Sequence, residues 1–449
     1  MEIGNIYKGQ VIDFTHEGNG VIKYDGFPIF VEDVVIGDFI EFKLVEKKKS
    51  FGIGVVSRII VQSTDRIEYS FDTSTLGGGV PLINYKYDKQ LEWKENKVKQ
   101  DLLRIGGIDV EVSKIIGMKS PFRYRNHSQI PVGEKDGKVV IGYYKAKSND
   151  IIPIDEDYLQ PEIADRIIDT VKAWVIEYDI QVYNREKELG VIKHLGIRTN
   201  ENNEAMLILV TAFSKIPYKY ELIHKLVKEC PGVVSIYQNI NQEKGKFTYG
   251  REYVHLFGQE QLRDYIGDLQ FDISPDSFFQ VNRLQTRVLY EIAKSFLEGK
   301  TDDVVFDIYS GIGTISLFIA KDVKKVIGIE SVKSAVENAK SNSKKNNIDN
   351  VEFYLGKAEI VFPKLIGENK ANKVIVDPPR KGCEREVLDA IIELSPERIV
   401  YVSCNPSTLA RDIKILDRSG YEVTKVQPVD MFPHSAHVEC VALMSRVEK

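Results

Sequence analysis

The chain has 449 residues, of which 43% are hydrophobic and 28% charged, with a net charge of −5; at about 150 residues per domain this accommodates about three globular domains. No apolar run approaches the roughly 18 residues of a membrane helix, and Met1 to Lys8 carries no apolar leader, so a cytoplasmic protein with no membrane partner is expected. The mildly negative balance excludes a global nucleic-acid signature, so any RNA contact has to come from local patches.

Residues 1–62 alternate apolar and polar positions in short runs with glycine punctuation, as in Gly20-Val21-Ile22-Lys23-Tyr24 and Phe27-Pro28-Ile29-Phe30-Val31. Asp25-Gly26 marks a hairpin turn and Gly37-Asp38 a second reversal, so a small antiparallel, OB-like barrel is expected. Such barrels often bind single-stranded nucleic acid. Lys47-Lys48-Lys49 reads as a solvated hairpin tip.

Residues 63–270 read as an α+β module. Gly77-Gly78-Gly79 requires a flexible or tight loop. Over 85–104, Leu91, Val98 and Leu102 recur at helical spacing with Lys94, Lys97 and Lys99 beside them, which predicts an amphipathic helix with a mildly basic exposed side. Phe122-Arg123-Tyr124-Arg125-Asn126-His127 and Tyr143-Tyr144-Lys145-Ala146-Lys147 interleave aromatics with positive charge, suited to stacking bases and meeting phosphates; strands with one basic solvent face would look the same.

From 271 to 449 strands and helices alternate regularly, which predicts a doubly wound, mainly parallel α/β sheet. Asp307-Ile308-Tyr309-Ser310-Gly311-Ile312-Gly313-Thr314 follows a strand and opens a helix, and its small residues let a ligand approach the backbone. Glu330 ends the next strand, where a carboxylate can hold the ribose hydroxyls of an adenosine-containing cofactor. No phosphate-binding loop of the Gly-x-x-x-x-Gly-Lys type occurs, so nucleotide hydrolysis is not expected. Asp377-Pro378-Pro379-Arg380 sets a carboxylate at a fourth strand end, suited to a nucleobase edge. The apolar run 399–402 delivers Cys404 to the same edge, in a loop that Pro406 keeps from continuing as regular structure. Ser435-Ala436-His437-Val438-Glu439-Cys440 places Glu439 just before a final strand. A thiol and a carboxylate converging on one sheet edge form a nucleophile–base pair. The four cysteines, Cys230, Cys383, Cys404 and Cys440, lack Cys-x-x-Cys spacing, which argues against a disulfide framework and a metal cluster.

Those four motifs together resemble the RNA uridine C5-methyltransferase family, S-adenosylmethionine-dependent enzymes with bacterial large-subunit rRNA and tRNA members. The resemblance spans nearly the whole chain. It implies a Rossmann-like methyltransferase domain, Cys404 as nucleophile, Glu439 as base, and a cofactor pocket lined by Gln280, Tyr309, Gly311, Glu330 and Asp377. Residues 1–62 look like the family's TRAM domain, which favours 23S rRNA over tRNA; the target uridine then has to leave its stack, and a monomer suffices. Many rRNA members hold an iron–sulfur cluster near a Cys-Gly-Gly-Cys segment. Here that stretch reads Leu76-Gly77-Gly78-Gly79, and Ile154-Asp155-Glu156-Asp157 stands where a further ligand would lie, so no cluster is expected. Cys383 is the rival thiol, tRNA the rival substrate, and a non-catalytic RNA chaperone the rival class.

Overall fold

The computed structural model describes residues 1–145, 148–243 and 248–447; Ala146 and Lys147, part of the second aromatic–basic run, lie outside the described residues. Strands of the C-terminal third, such as Val304–Ile308 and Lys373–Val376, are apolar on both faces and need cover on both. They build a seven-stranded sheet in the order Val351–Leu355, Lys325–Glu330, Val304–Ile308, Lys373–Val376, Arg398–Ser403, Glu439–Arg446, Tyr421–Val429. The first five run parallel, and Glu439–Arg446 is antiparallel to both of its neighbours. Side chains alternate between two cores. Phe306, Ile308, Val374, Val376, Ile399 and Tyr401 enter one, and Val305, Ile375, Val400 and Val402 the other.

Strand order reverses between Val304–Ile308 and Lys373–Val376, the crevice outside the carboxyl ends where doubly wound sheets take ligands. Tyr309, Asp377 and Cys404 directly follow strands, and Glu330 ends one. Because Glu439–Arg446 runs the other way, its first residue meets that same edge. Ser403 pairs with Cys440, so the register carried one residue further sets Cys404 opposite Glu439.

The N-terminal strands form a six-stranded sheet around Val11, Ile22, Ile29, Val31, Ile40, Phe42 and Leu44. Asp25 and Gly26 both take positive φ, 49° and 79°, between strands Gly20–Tyr24 and Phe27–Val31, as a two-residue hairpin requires. The middle of the chain is a second seven-stranded sheet, including His127–Lys135, Ile192–Thr199 and Ala205–Thr211, backed by helices Glu162–Glu177 and Lys219–Glu229.

Two expectations for this part need correction or sharpening. Helix Tyr87–Asp101 forms, but its charged side is not simply basic and exposed. Lys94 is fully buried, with its Nζ 2.6 Å from Asp430 Oδ1 and 2.9 Å from the Phe432 carbonyl. Burial pulls its ammonium below the usual range, against the pull of the Asp430 carboxylate. The pair pins the helix to the segment that leads into Glu439. The glycine run is a tight 3-10 turn, Thr73–Gly79, capped by Asp72, with Gly77 at φ 69° against the Tyr143 side chain. Leu76 packs there with Val80, Tyr124 and Leu159, and Phe71 stacks on Tyr158 at 3.7 Å between ring centroids. Apolar contacts thus join the glycine run to Tyr158 and Leu159, which directly follow residues 154–157.

Candidate functional site

The candidate thiol sits between a strand and a helix. Pro406 does not merely stop the strand, as expected; it takes the first turn of helix Pro406–Asp417, where its missing N–H costs nothing. Asn405 caps that helix through Ser407 N at 3.1 Å and donates to the Arg380 carbonyl at 3.0 Å, tying the Cys404 turn to the Asp-Pro-Pro-Arg turn. Cys404 is half-buried, whereas Cys230, Cys383 and Cys440 are buried. The rival Cys383 lies under Asp412, which accepts its backbone N–H at 2.8 Å.

Charges converge on the thiol. Burial, then the Glu439 and Asp377 carboxylates, push Cys404 up to about 12, while Arg380 pulls it down. Burial and Asp377 push Glu439 up to about 8, again opposed by Arg380. Asp377 keeps part of its surface accessible, yet its protein surroundings, with Asp307, push it up to about 7. Desolvation therefore dominates all three groups, and Arg380 is the cation acting on both members of the thiol–carboxylate pair.

The turn after Val304–Ile308 is built for a ligand. Tyr309 holds φ 70°, a strained value for a tyrosine. Gly311 has open space where a Cβ would stand, and its N–H donates to Glu330 Oε2 at 3.1 Å. Glu330 Oε1 accepts from Val332 N at 2.8 Å, so the carboxylate is fixed in place. Asp307 Oδ1, Tyr309 OH and Ser310 Oγ are buried without hydrogen-bond partners among the described residues. Orphaned buried polar atoms are costly, and those of Asp307 and Ser310 beside an open backbone turn fit a polar cofactor, whereas the Tyr309 hydroxyl lies towards Cys383 and the Glu384 backbone. Gln280 is buried in the segment before helix Arg283–Leu297, its carbonyl held by Asn126 Nδ2 at 2.9 Å.

A family model described as tRNA (Uracil-5-)-methyltransferase matches residues 86–447. The chain belongs to this family of S-adenosylmethionine-dependent RNA uracil-C5 methyltransferases. It is 45% identical to an uncharacterized RNA methyltransferase of Clostridium tetani over 431 residues, covering 96% of this chain and 94% of that protein. Another from Bacillus cereus is 42% identical over 440 residues, 97% of this chain and 96% of the relative. Among solved structures, Pyrococcus abyssi tRNA (uracil-54, C5)-methyltransferase in complex with S-adenosyl-L-homocysteine superposes with a TM-score of 0.79 at 31% identity, covering 98% of this chain and all of that one. The mixed α/β methyltransferase fold and the cofactor class accord with the expectation from sequence. Among the described residues no group of three or more His, Cys, Asp or Glu is placed to hold a metal, and no helix is long and apolar enough to cross a membrane.

The structure brings Cys404, Glu439 and Asp377 into one electrostatic unit and sets Gly311 against Glu330. The ring of Tyr309 is turned towards Cys383 and Glu384, whose fields act on its hydroxyl. Sequence reasoning gave no role to Arg380 or His437. Arg380 Nη2 lies 3.3 Å from His437 Nε2, and burial with the Arg380 charge pushes that imidazole down to about 4, leaving it a neutral acceptor. Both residues stand inside motifs already quoted, so the signal was present. Of the first aromatic–basic run, Phe122 joins the aromatic cluster, Arg123 ion-pairs with Glu156 and Asp165, and Tyr124 is buried.

Proposed function

We propose that this chain methylates C5 of a uridine in 23S rRNA with Cys404 as nucleophile and Glu439 as base. The register that sets Cys404 opposite Glu439 on the ligand edge of the sheet is the observation that carries the assignment. Uracil C5 is too weak a nucleophile to take a methyl group unaided. Addition of the Cys404 thiolate to C6 turns the ring into an enolate and makes C5 reactive. Asp377 faces the uracil edge, and Arg380 stabilises the thiolate against the neighbouring carboxylates. S-adenosylmethionine, held by Gln280, Tyr309, Gly311, Glu330 and Asp377, supplies the methyl group on a positively charged sulfur. Glu439 then removes the C5 proton, the C5–C6 double bond reforms, and Cys404 leaves as thiolate.

The N-terminal six-stranded sheet supports rRNA, because among the bacterial members that this chain resembles a TRAM-like barrel marks the rRNA branch, and the Clostridium tetani and Bacillus cereus relatives match it over 94% and 96% of their own length. In this reading residues 1–62 and 63–270 hold the RNA, residues 271–449 perform the chemistry, and the target uridine is swung out of its stack to reach Cys404. A tRNA uridine is the second reading, favoured by the Pyrococcus enzyme, which superposes over the N-terminal sheet as well. Incubation with tritium-labelled S-adenosylmethionine and either 23S rRNA or tRNA transcripts separates the two. Label in 5-methyluridine of the rRNA is expected; label in tRNA alone would overturn the rRNA assignment and keep the chemistry.

A further inference from the structure

Outside the thiol–carboxylate site, a cavity of about 210 Å³ lies between the central sheet and the segment that precedes helix Arg283–Leu297; it is lined by Arg125, His127, Ser128, Gln129, Tyr143 and Val281. At ~30 Å³ of liquid volume per water it has room for about seven molecules. Arg125, His127 and Gln129 are spaced two apart on extended chain and so share one face. Arg125 Nε is buried with no hydrogen-bond partner among the described residues. The nearby carboxylates are engaged elsewhere: Glu156 and Asp165 by Arg123, and Asp157 by the Tyr143 hydroxyl at 2.6 Å and Leu159 N at 2.9 Å.

Behind this wall Arg198 is buried, donating to the carbonyls of Pro275 at 3.3 Å and Ser277 at 2.6 Å, with its own Nε unpartnered. His127 Nε2 lies 3.2 Å from Tyr249 OH, and the two rings are stacked. Arg125, the neutral His127 and Tyr143 line the cavity, with Arg198 and Tyr249 behind His127, so its wall is basic and aromatic. Arg125 lines the cavity half-buried, with its Nε buried and unpartnered, so it suits an anion that comes from outside the chain.

The cavity is joined to the reactive site by one short segment. Val281 lines it, Asn126 N donates to the Val281 carbonyl at 2.9 Å, and Asn126 Nδ2 holds the Gln280 carbonyl. Asn282 Nδ2 donates to the Met431 carbonyl at 3.0 Å, in the stretch that leads to Glu439. We infer that this cavity is a subsite for the RNA phosphodiester next to the target uridine, with Arg125 as the group that pairs with it. The inference rests on the RNA-methylation reading above. A phosphate anchored here fixes the strand on one side of the flipped nucleotide, and Gln129, exposed at the mouth, meets the adjoining sugar or base edge.

Filter binding of 23S rRNA transcript to the full chain across a salt series tests the subsite. Each phosphate of single-stranded RNA that the protein ceases to neutralise lowers the slope of log affinity against log salt by about 0.7. Arg125→Gln is expected to weaken binding about tenfold and to lower the slope by about that amount, and Arg125→Lys to restore the slope. S-adenosylmethionine affinity, unchanged in both, reports an intact fold. Should Arg125→Gln not fold, Gln129→Glu at the exposed mouth is expected to weaken RNA binding by a similar factor through charge repulsion. A full slope in folded Arg125→Gln, or undiminished binding by Gln129→Glu, would overturn the subsite alone. Wild-type protein that retains no RNA would overturn the functional reading and the subsite with it.

Discussion

Replacing Glu439 by Gln separates what this residue does for turnover from what it costs the fold. Its carboxyl is buried and pushed from an ordinary 4.5 to about 8, so at pH 7 the folded chain holds a proton that the unfolded chain has released. Keeping that proton over about 2.5 pH units, at about 1.4 kcal/mol each, costs the wild-type fold about 3 kcal/mol. At pH 5 the same reasoning leaves under about 1 kcal/mol. Because the folded state binds the extra proton, its stability falls as pH rises from about 4.5 to about 8. Glu439→Gln is neutral throughout and escapes the cost. It is therefore expected to be more stable than wild type by about 2–3 kcal/mol at pH 7 and by under about 1 kcal/mol at pH 5, while losing turnover because no base removes the C5 proton. Urea unfolding of both proteins at the two pH values measures this directly. A variant no more stable than wild type at pH 7, or a difference independent of pH, would refute the buried-carboxylate argument.

Further expectations follow from the same geometry. With Glu439 as base and Cys404 reacting as thiolate, kcat/KM is expected to rise steeply up to about pH 8, where Glu439 has ionised, and less steeply above it, because the thiol titrates only near pH 12; a limb that breaks near pH 4.5 in a pH–rate profile would contradict the burial of Glu439. Cys404→Ser is expected to abolish methyl transfer in a tritium-release assay, and Cys383→Ser to retain it, since Cys383 is buried beneath Asp412; the reverse pattern would exchange the two thiols. Lys94→Met leaves Asp430 buried without its cation and is expected to cost about 3–5 kcal/mol in denaturant unfolding; an unchanged midpoint would show that the pair carries no stability. Elemental analysis of freshly purified protein is expected to find no stoichiometric iron, and a visible absorption band with iron bound would contradict the apolar packing of Leu76 and Tyr158.

The α/β alternation was legible because each buried strand is a short apolar run closed by a chemically distinctive residue: Glu330, Asp377 and Cys404 are recognisable by where their strands end. The convergence of Cys404 and Glu439 on one sheet edge was expected from their strand ends and given its roles by the motif resemblance, but nothing local says that Glu439–Arg446 inserts antiparallel beside Arg398–Ser403. Lys94 was misread for a related reason. Its spacing is that of a solvated helix face, and the partner that makes burial tolerable, Asp430, lies 336 residues further on. Pro406 was read as a breaker because a proline after a strand excludes continued pairing, and the same property makes it a good first residue for a helix. The aromatic–basic run at 122–127 divided between structure and cavity according to contacts with Asp165, Pro433 and Val281, which no local pattern announces.

The most direct test of the central claim is to incubate the protein with S-adenosylmethionine and 23S rRNA transcribed with 5-fluorouridine, then to resolve the products on a denaturing gel and by mass spectrometry. Fluorine at C5 cannot leave as a proton, so Glu439 has nothing to remove and Cys404 stays bonded to C6. A methylated RNA adduct on the peptide containing Cys404 is the predicted result, and its RNA fragment identifies the uridine. Absence of an adduct with both rRNA and tRNA, under conditions in which the protein binds RNA, would contradict Cys404 as the nucleophile.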